Sequence, residues 1–544
     1  MFKPQRLVWI LAFLYFAFNL GFFSYNYDMD GAVFSLYLEA VKAGADPATL
    51  YHNHHLIYEP FAYGFWNLLT LAGFSMRSVH GLQLFDLILS GISLAIFGLS
   101  LVSLRPEKKW VALLCELGLG FSFTYWFFSV QPGEHALALL FLNLGFYFVV
   151  KNSHWRNDFS LSRQKIFGIL TLGIYASLAA LGHIMHALFL IPVLAFALRI
   201  FPAPELRSRL RPLLAIVVVF CIITGSLYAV AFFAQTRLSP HADSLTAAFI
   251  KWVLGNANTE TPFGYSHSYW KNGFESLGQW FSGMTWAFFE KDEKSFVPWT
   301  WRLLKISGLS VMAIYAGIYL YRYFKDWRKR EAYDDFIMAW IIPGAIFTTF
   351  WAPGYFEQKI YLLPALWAMV FLGVPEPESK MKKTALVSLL AMTVIFLFAF
   401  NFFLKIYPDS DPKNALELEA AEQIKNASAP GSIIIISGAA AGYNIGKVYI
   451  PYFSQRNTLV LDWVLSKPVD GKYFPQNLEK TIDDYQASGK TVYLLSDAWQ
   501  GPALDELSEH HRISKNDLAS FWARYNPELA ARLENGMMLY KLTY

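Results

Sequence analysis

At 544 residues the chain is 55% hydrophobic, 18% aromatic and only 16% charged, with a mean hydropathy of +0.32. That balance excludes an ordinary soluble globular protein and predicts a polytopic α-helical membrane protein. The two cysteines, Cys115 and Cys221, both fall inside hydrophobic runs, which leaves no disulfide framework, and the net charge of +4 informs only through where Lys and Arg stand along the chain.

A hydrocarbon core about 30 Å thick takes roughly 20 helical residues. Eleven runs qualify, near 7–24, 82–104, 110–128, 135–150, 166–182, 186–201, 212–234, 299–320, 336–351, 360–374 and 384–404. The runs 336–351 and 360–374 are short enough for a hairpin that does not fully cross. The basic residues gather in alternate connections: Lys3 to Arg6, Arg105 to Lys109, Lys151 to Lys165, Arg199 to Arg211, Arg322 to Arg330, and Lys380 to Lys383. The positive-inside rule puts these in the cytoplasm, with the N-terminus inside and the C-terminus outside. Phe22, Phe23 and Tyr25 stand where a cleavage site would need small residues, so the first run reads as a retained anchor in a cytoplasmic, bacterial inner membrane.

This arrangement predicts a membrane domain, 1–404, with outer loops at 25–81 and 235–298, and an extracytoplasmic α/β domain, 405–544. In the first loop Asp30 opens an apolar-periodic stretch that carries Val33, Phe34, Tyr37 and Val41 and stops before Gly44, a short helix lying on the membrane interface with Asp30 as its cap. Asp46-Pro47 starts another turn. The second loop offers an amphipathic helix from Ser244 to Leu254 and the tryptophans Trp270, Trp280, Trp286 and Trp299, residues favoured in interfacial belts and also suited to stacking on sugars. The tail alternates strands near Ser432–Gly438, Thr458–Val464, Thr491–Leu495 and Met537–Leu542 with helices near Ala415–Lys425, Gln476–Ala487 and Asp517–Leu533. Gly438, Gly442 and Gly446 miss the spacing of a nucleotide-binding loop.

Polar residues concentrate at the predicted outer ends of the spans. Asp28 and Asp30 follow the first span. With Asp30 assigned to capping, Asp28 is the acid without a structural task, suited to act as a general base or, with Asp30, to hold a hard cation such as Mg or Mn. His54, His55 and Tyr58 lie across the same loop, and adjacent histidines suit hydrogen bonding to a phosphate or sugar better than shared metal ligation. His183 and His186 have i, i+3 spacing, and Glu134-His135 adds a further polar pair. Late in the chain Lys359 is one of few basic residues on its side, placed to meet an anionic lipid phosphate or to pair with Glu357.

These segments together resemble the GT-C superfamily of integral membrane glycosyltransferases, which includes protein O-mannosyltransferases and the aminoarabinose transferases of lipid A. The likeness is carried by Tyr27-Asp28-Met29-Asp30, His54-His55-Leu56-Ile57-Tyr58, Gly133-Glu134-His135, the His183/His186 pair, and Trp351-Ala352-Pro353 with Glu357 and Lys359. It implies a sugar donor on a polyprenyl phosphate, an acceptor that is a lipid, a glycan or a protein, and a first-loop aspartate as base or metal ligand, Asp28 first and Asp30 second. It implies neither a nucleotide or redox cofactor nor a nucleic-acid partner. A ligase or polymerase moving a whole polyprenyl-linked glycan shares this chemistry. A transporter is the other class with as many spans, although its ionisable residues would sit near the bilayer midplane, where Asp86 and Glu116 are the main examples here.

Overall fold

The computed structural model describes residues 3–157, 163–201, 206–236, 245–254, 283–285, 299–350, 356–375, 380–439, 441–467 and 473–543. Trp270, Trp280, Trp286 and the hairpin tip at 351–355 lie outside the described residues. The chain divides into two compact units, Met1–Phe23 with Val41–Pro408, and Ser24–Ala40 with Asp409–Tyr544. The first outer loop is therefore shared, its opening segment belonging with the tail.

The helices in chain order are α1 (Pro4–Asn19), α2 (Met29–Lys42), α3 (Tyr58–Leu71), α4 (Ser78–Leu104), α5 (Lys109–Phe121), α6 (Phe123–Val130), α7 (His135–Asn152), α8 (Arg163–Gly182), α9 (Leu190–Ile200), α10 (Leu206–Thr236), α11 (Leu245–Leu254), α12 (Trp299–Lys325), α13 (Ala332–Phe350), α14 (Leu363–Gly373) and α15 (Lys380–Asn401). All but α2 lie wholly or almost wholly in the first unit. Among the described residues five helices are long and apolar enough to cross a membrane, within α4, α7, α8, α10 and the stretch Thr384–Asp409, and the bent pair α5–α6 makes up to six. Ile184–Ile200 and Leu363–Gly373 are shorter apolar helices. The expected eleven runs thus appear as helices of uneven length. The expected span 110–128 is not straight: it bends by 62° at Ser122, whose backbone is extended.

The bundle is held by close packing and a few satisfied polar groups, since a lone polar group in hydrocarbon costs several kcal/mol. Asn143 Nδ2 donates to Ser93 Oγ (2.8 Å), Tyr15 OH to Ser129 Oγ (2.9 Å) and Asn401 Nδ2 to the carbonyl of Phe121 (2.8 Å). Trp126, Trp340 and Trp367 are fully buried. On α10 only 11% of the apolar window is buried, which leaves Leu214, Ile222 and Val230 to face lipid.

The second unit carries a five-stranded sheet in the order β2-β1-β3-β5-β4, where β1 is Ile433–Ile436, β2 Asn457–Val460, β3 Val492–Leu495, β4 Glu528–Arg532 and β5 Met538–Lys541. β1 runs parallel to β2 and β3, and β5 runs antiparallel to β3 and β4. The expected helix Asp517–Leu533 is corrected: a helix covers Lys515–Ala523, then Asn526 takes a positive φ of 41° before Pro527, and the remainder becomes edge strand β4. A residue preceding proline resists helical backbone, which explains the break.

Helix α2 also departs from expectation. Ala32, Phe34, Ser35 and Leu38 are buried, and the segment is tied into its own unit by Tyr449 OH donating to the carbonyl of Tyr27 (2.6 Å), Tyr452 OH donating to Glu39 Oε1 (3.1 Å), and the stacked rings of Tyr27 and Phe453. It is a docked helix, its apolar face packed against protein.

Candidate active site

Of the two acids after the first span, the one that caps α2 is Asp28 and not, as expected, Asp30. The carbonyl of Asp28 accepts from Ala32 N (3.2 Å), the first bond of α2, and its carboxylate accepts from the Met29 and Asp30 amides, so Asp28 is the cap and Asp30 stands in the first turn. Burial outweighs those amides and pushes the Asp28 carboxyl above the usual carboxylate range. Asp30 is more exposed, yet partial burial and then the neighbouring Asp28 charge push it up to about 6, against the pull of Lys447.

In the helical unit the histidines meet. Asp46 caps a one-turn 3-10 helix, Pro47–Leu50, by accepting from Ala48 N (2.8 Å), and the chain then runs extended past His52. This run is fixed by backbone bonds to the end of α8: Ile184 N donates to the carbonyl of His54 (2.7 Å) and Ile57 N to that of Leu181 (3.2 Å). Tyr228 OH on α10 donates to the carbonyl of Asn53 (2.8 Å). His52 stacks on His55 with ring centroids 4.1 Å apart and planes within 8°, and His54 meets His52 edge-on. His55 Nδ1 lies 3.2 Å from Glu59 Oε2, one helical turn on.

Asp86 on α4 organises the neighbouring turn. Its Oδ2 accepts from Tyr58 OH (2.7 Å) and from Gly133 N (3.0 Å), which joins the start of α3 to the turn that carries Glu134 and His135. Tyr58 is fully buried. Glu134 Oε1 lies 3.6 Å from His183 Nε2 and 3.7 Å from His135 Nε2. The His135 ring is 4.7 Å from that of His183 and 6.2 Å from that of His186, and His186 faces the ring of Tyr361 at 5.5 Å. Tyr361 ends the 3-10 turn Glu357–Tyr361, which also bears Lys359. Lys359 is buried, donates from Nζ to the carbonyl of Thr348 (3.3 Å), and is pushed down to about 8 by burial. The residues Glu134, His135, His183, His186, Glu357 and Lys359, with His54, His55 and Tyr58, therefore share one unit, and Asp28 and Asp30 belong to the other.

Burial decides the charge of the loop imidazoles. His54 is lowered by burial, His52 to about 4 by burial and by His54, and His55 falls well below the ordinary value by burial and then by its histidine neighbours. At neutral pH these rings are uncharged, each with one N–H to donate and one lone pair. The cluster is a set of hydrogen-bonding and ligating groups.

His52, Glu59 and Asp86 were not among the residues singled out for the site. The His52/His55 spacing was the signal for the first, whereas the role of Asp86 depends on a contact 47 residues distant.

No family model matches the chain, and no curated protein matches it by sequence. Solved structures do. ArnT from Cupriavidus metallidurans bound to undecaprenyl phosphate aligns over 98% of this chain and 97% of its own, with a TM-score of 0.60 at 12% identity. The oligosaccharyltransferase AglB from Archaeoglobus fulgidus, in complex with an inhibitory peptide and a dolichol-phosphate, aligns over 98% of this chain and 74% of its own, with a TM-score of 0.52 at 10% identity. The chain shares the fold of these two proteins. At these identities the GT-C likeness concerns backbone architecture, so residue roles rest on the chemistry of the side chains themselves.

One crystal structure of the Archaeoglobus fulgidus enzyme is a complex with Zn and sulfate, and a divalent cation was also the expectation for Asp28 and Asp30. The Asp28 carboxylate accepts from two backbone amides, and Asp30 feels the opposing charges of Asp28 and Lys447.

Proposed function

We propose that the protein is a glycosyltransferase that moves a sugar from a polyprenyl-phosphate carrier to an acceptor on the outer face of the membrane, with inversion at the anomeric carbon. The observation that carries this reading is the likeness to GT-C structures, one of which is bound to undecaprenyl phosphate, together with the raised carboxyl of Asp28. The acceptor hydroxyl or amine gives its proton to Asp28 as it attacks the anomeric carbon. The bond from that carbon to the phosphate oxygen breaks, and polyprenyl phosphate departs. A raised carboxyl pKa makes Asp28 a stronger base than a solvated aspartate, and a general base of this kind contributes typically 10²–10⁴-fold.

Purified protein supplied with a panel of polyprenyl-phosphate sugars should transfer at least one of them. Asp28→Asn should reduce turnover about 10²-fold or more with the fold intact, because asparagine caps a helix as well as aspartate does. Absence of transfer from every donor, or full activity in that variant, would overturn the reading. Transfer only from oligosaccharide-bearing donors would turn it toward the ligase.

A further inference from the structure

Deep in the helical unit, His186 is fully buried and neither ring nitrogen has a hydrogen-bond partner among the described residues; the same is true of His135 Nδ1. Leaving such groups dry and unpaired costs about 1–3 kcal/mol each, so a partner beyond the described side chains is called for. One donor atom each from His135, His183 and His186 lie within 4.8 Å of one another. Glu134 Oε1 stands 3.7 and 3.6 Å from the Nε2 atoms of His135 and His183. Those separations exceed the roughly 2.7–3.2 Å of a hydrogen bond. They are close to the ~3.3 Å edge of a tetrahedron whose arms are about 2.0–2.1 Å.

We propose that His135, His183 and His186, completed by Glu134, bind one borderline transition-metal ion, zinc(II) in the first instance. Three imidazoles and one carboxylate are the donor set of a zinc-type site, and magnesium would meet too few oxygens there. The site fills the gap between the Gly133–His135 turn, itself held by Asp86, and the turn that joins α8 to α9. Binding exchanges one contact. His183 Nδ1 accepts from Met185 N at 3.2 Å, which leaves the proton on Nε2 in the metal-free protein. An Nε2-ligated ring carries its proton on Nδ1, so loading replaces that hydrogen bond by the metal bond.

Asp462, His510 and His511 form a second candidate group, in the tail unit. There Asp462 Oδ1 already contacts His511 Nε2 at 2.7 Å and His510 Nδ1 at 3.3 Å, so each of the three has a partner without an ion. It serves as the internal control.

The test reads metal, not turnover, and therefore stands or falls apart from the glycosyl-transfer reading. Full-length protein, stripped with chelator and titrated with zinc(II), should take up one equivalent by elemental analysis and gain thermal stability in proportion to its occupancy. Cobalt(II) in its place should show the visible ligand-field bands of tetrahedral nitrogen and oxygen coordination. His186→Gln and Glu134→Gln should lower uptake to background or weaken it at least tenfold, with a monodisperse elution profile as the check on folding. His511→Gln should leave the stoichiometry unchanged. No uptake in the wild type, meaning that water fills the pocket, overturns the proposal, and so does uptake that survives His186→Gln but is lost in His511→Gln.

Discussion

Asp28 carries two jobs in one side chain, and the choice of substitution separates them. Asp28→Asn keeps the cap and removes the base, whereas Asp28→Ala removes both and should also destabilise the tail unit by about 1 kcal/mol. Asp30→Ala removes neither the cap nor the proposed base. Activity should then fall in both Asp28 variants, thermal stability only in the alanine, and Asp30→Ala should retain turnover; loss of activity in Asp28→Ala with full retention in Asp28→Asn would leave capping as the residue's whole contribution. The pH dependence follows from the same residues. Asp28 works deprotonated and its folded pKa is raised, so the rate should climb with pH over a range displaced above that of an ordinary carboxylate. A pH profile of kcat/KM checks this limb, and a rate that falls as pH rises through it would contradict the base role.

At the scale of elements, close approaches between helices set what the bundle tolerates. A Cβ on Gly373 of α14 would fall 1.9 Å from the carbonyl oxygen of Tyr315 on α12, a backbone atom that cannot swing aside, while one on Gly225 of α10 meets nothing within 4 Å. Gly373→Ala should therefore lower stability by about 1–3 kcal/mol through overpacking, and Gly225→Ala should not lower it; unfolding temperatures in one detergent decide, and equal values would refute the close approach. These contacts were invisible in the sequence, where both glycines sit in similar apolar runs. Apolar length did read through: the runs 82–104, 135–150, 166–182 and 212–234 became α4, α7, α8 and α10 within a few residues of the expected ends. What did not read through was the break at Ser122, whose hydroxyl donates to the carbonyl of Gly118 (2.7 Å) and accepts from Trp367 Nε1 (2.9 Å), a partner 245 residues away. The cap of α2 was misplaced by two residues because Asp28 and Asp30 are both good caps by type, and only the bond from Ala32 N to the carbonyl of Asp28 distinguishes them.

For the molecule as a whole, the charge pattern that predicts orientation has a counterpart in the helical unit. Arg199 Nε lies 3.2 Å from Asp335 Oδ2, Arg330 Nη1 lies 3.3 Å from Asp335 Oδ1, Arg105 donates to Tyr333 OH (3.4 Å), and buried Lys108 donates to the carbonyl of Val374 (2.8 Å). Three basic connections that are far apart in sequence thus converge around the start of α13 and the end of α14. The histidines and Glu134 gather instead about the starts of α3 and α7 and the end of α8. Two helices run from one set toward the other, α4 from Ser78 to Leu104 just before Arg105, and α7 from His135 to Lys151 and Asn152. If the basic set faces the cytoplasm, the histidines face outward, the side on which a polyprenyl-linked donor meets the proposed acceptor. Orientation is testable with thiol reagents that do not cross the membrane. Cys115 is buried and Cys221 lies exposed on lipid-facing α10, so a Cys221→Ser background should be silent. In that background a cysteine at the exposed Glu509 should label from outside intact cells, and one at the exposed Lys329 only after permeabilisation. The reverse pattern would invert the molecule and with it the side on which transfer takes place.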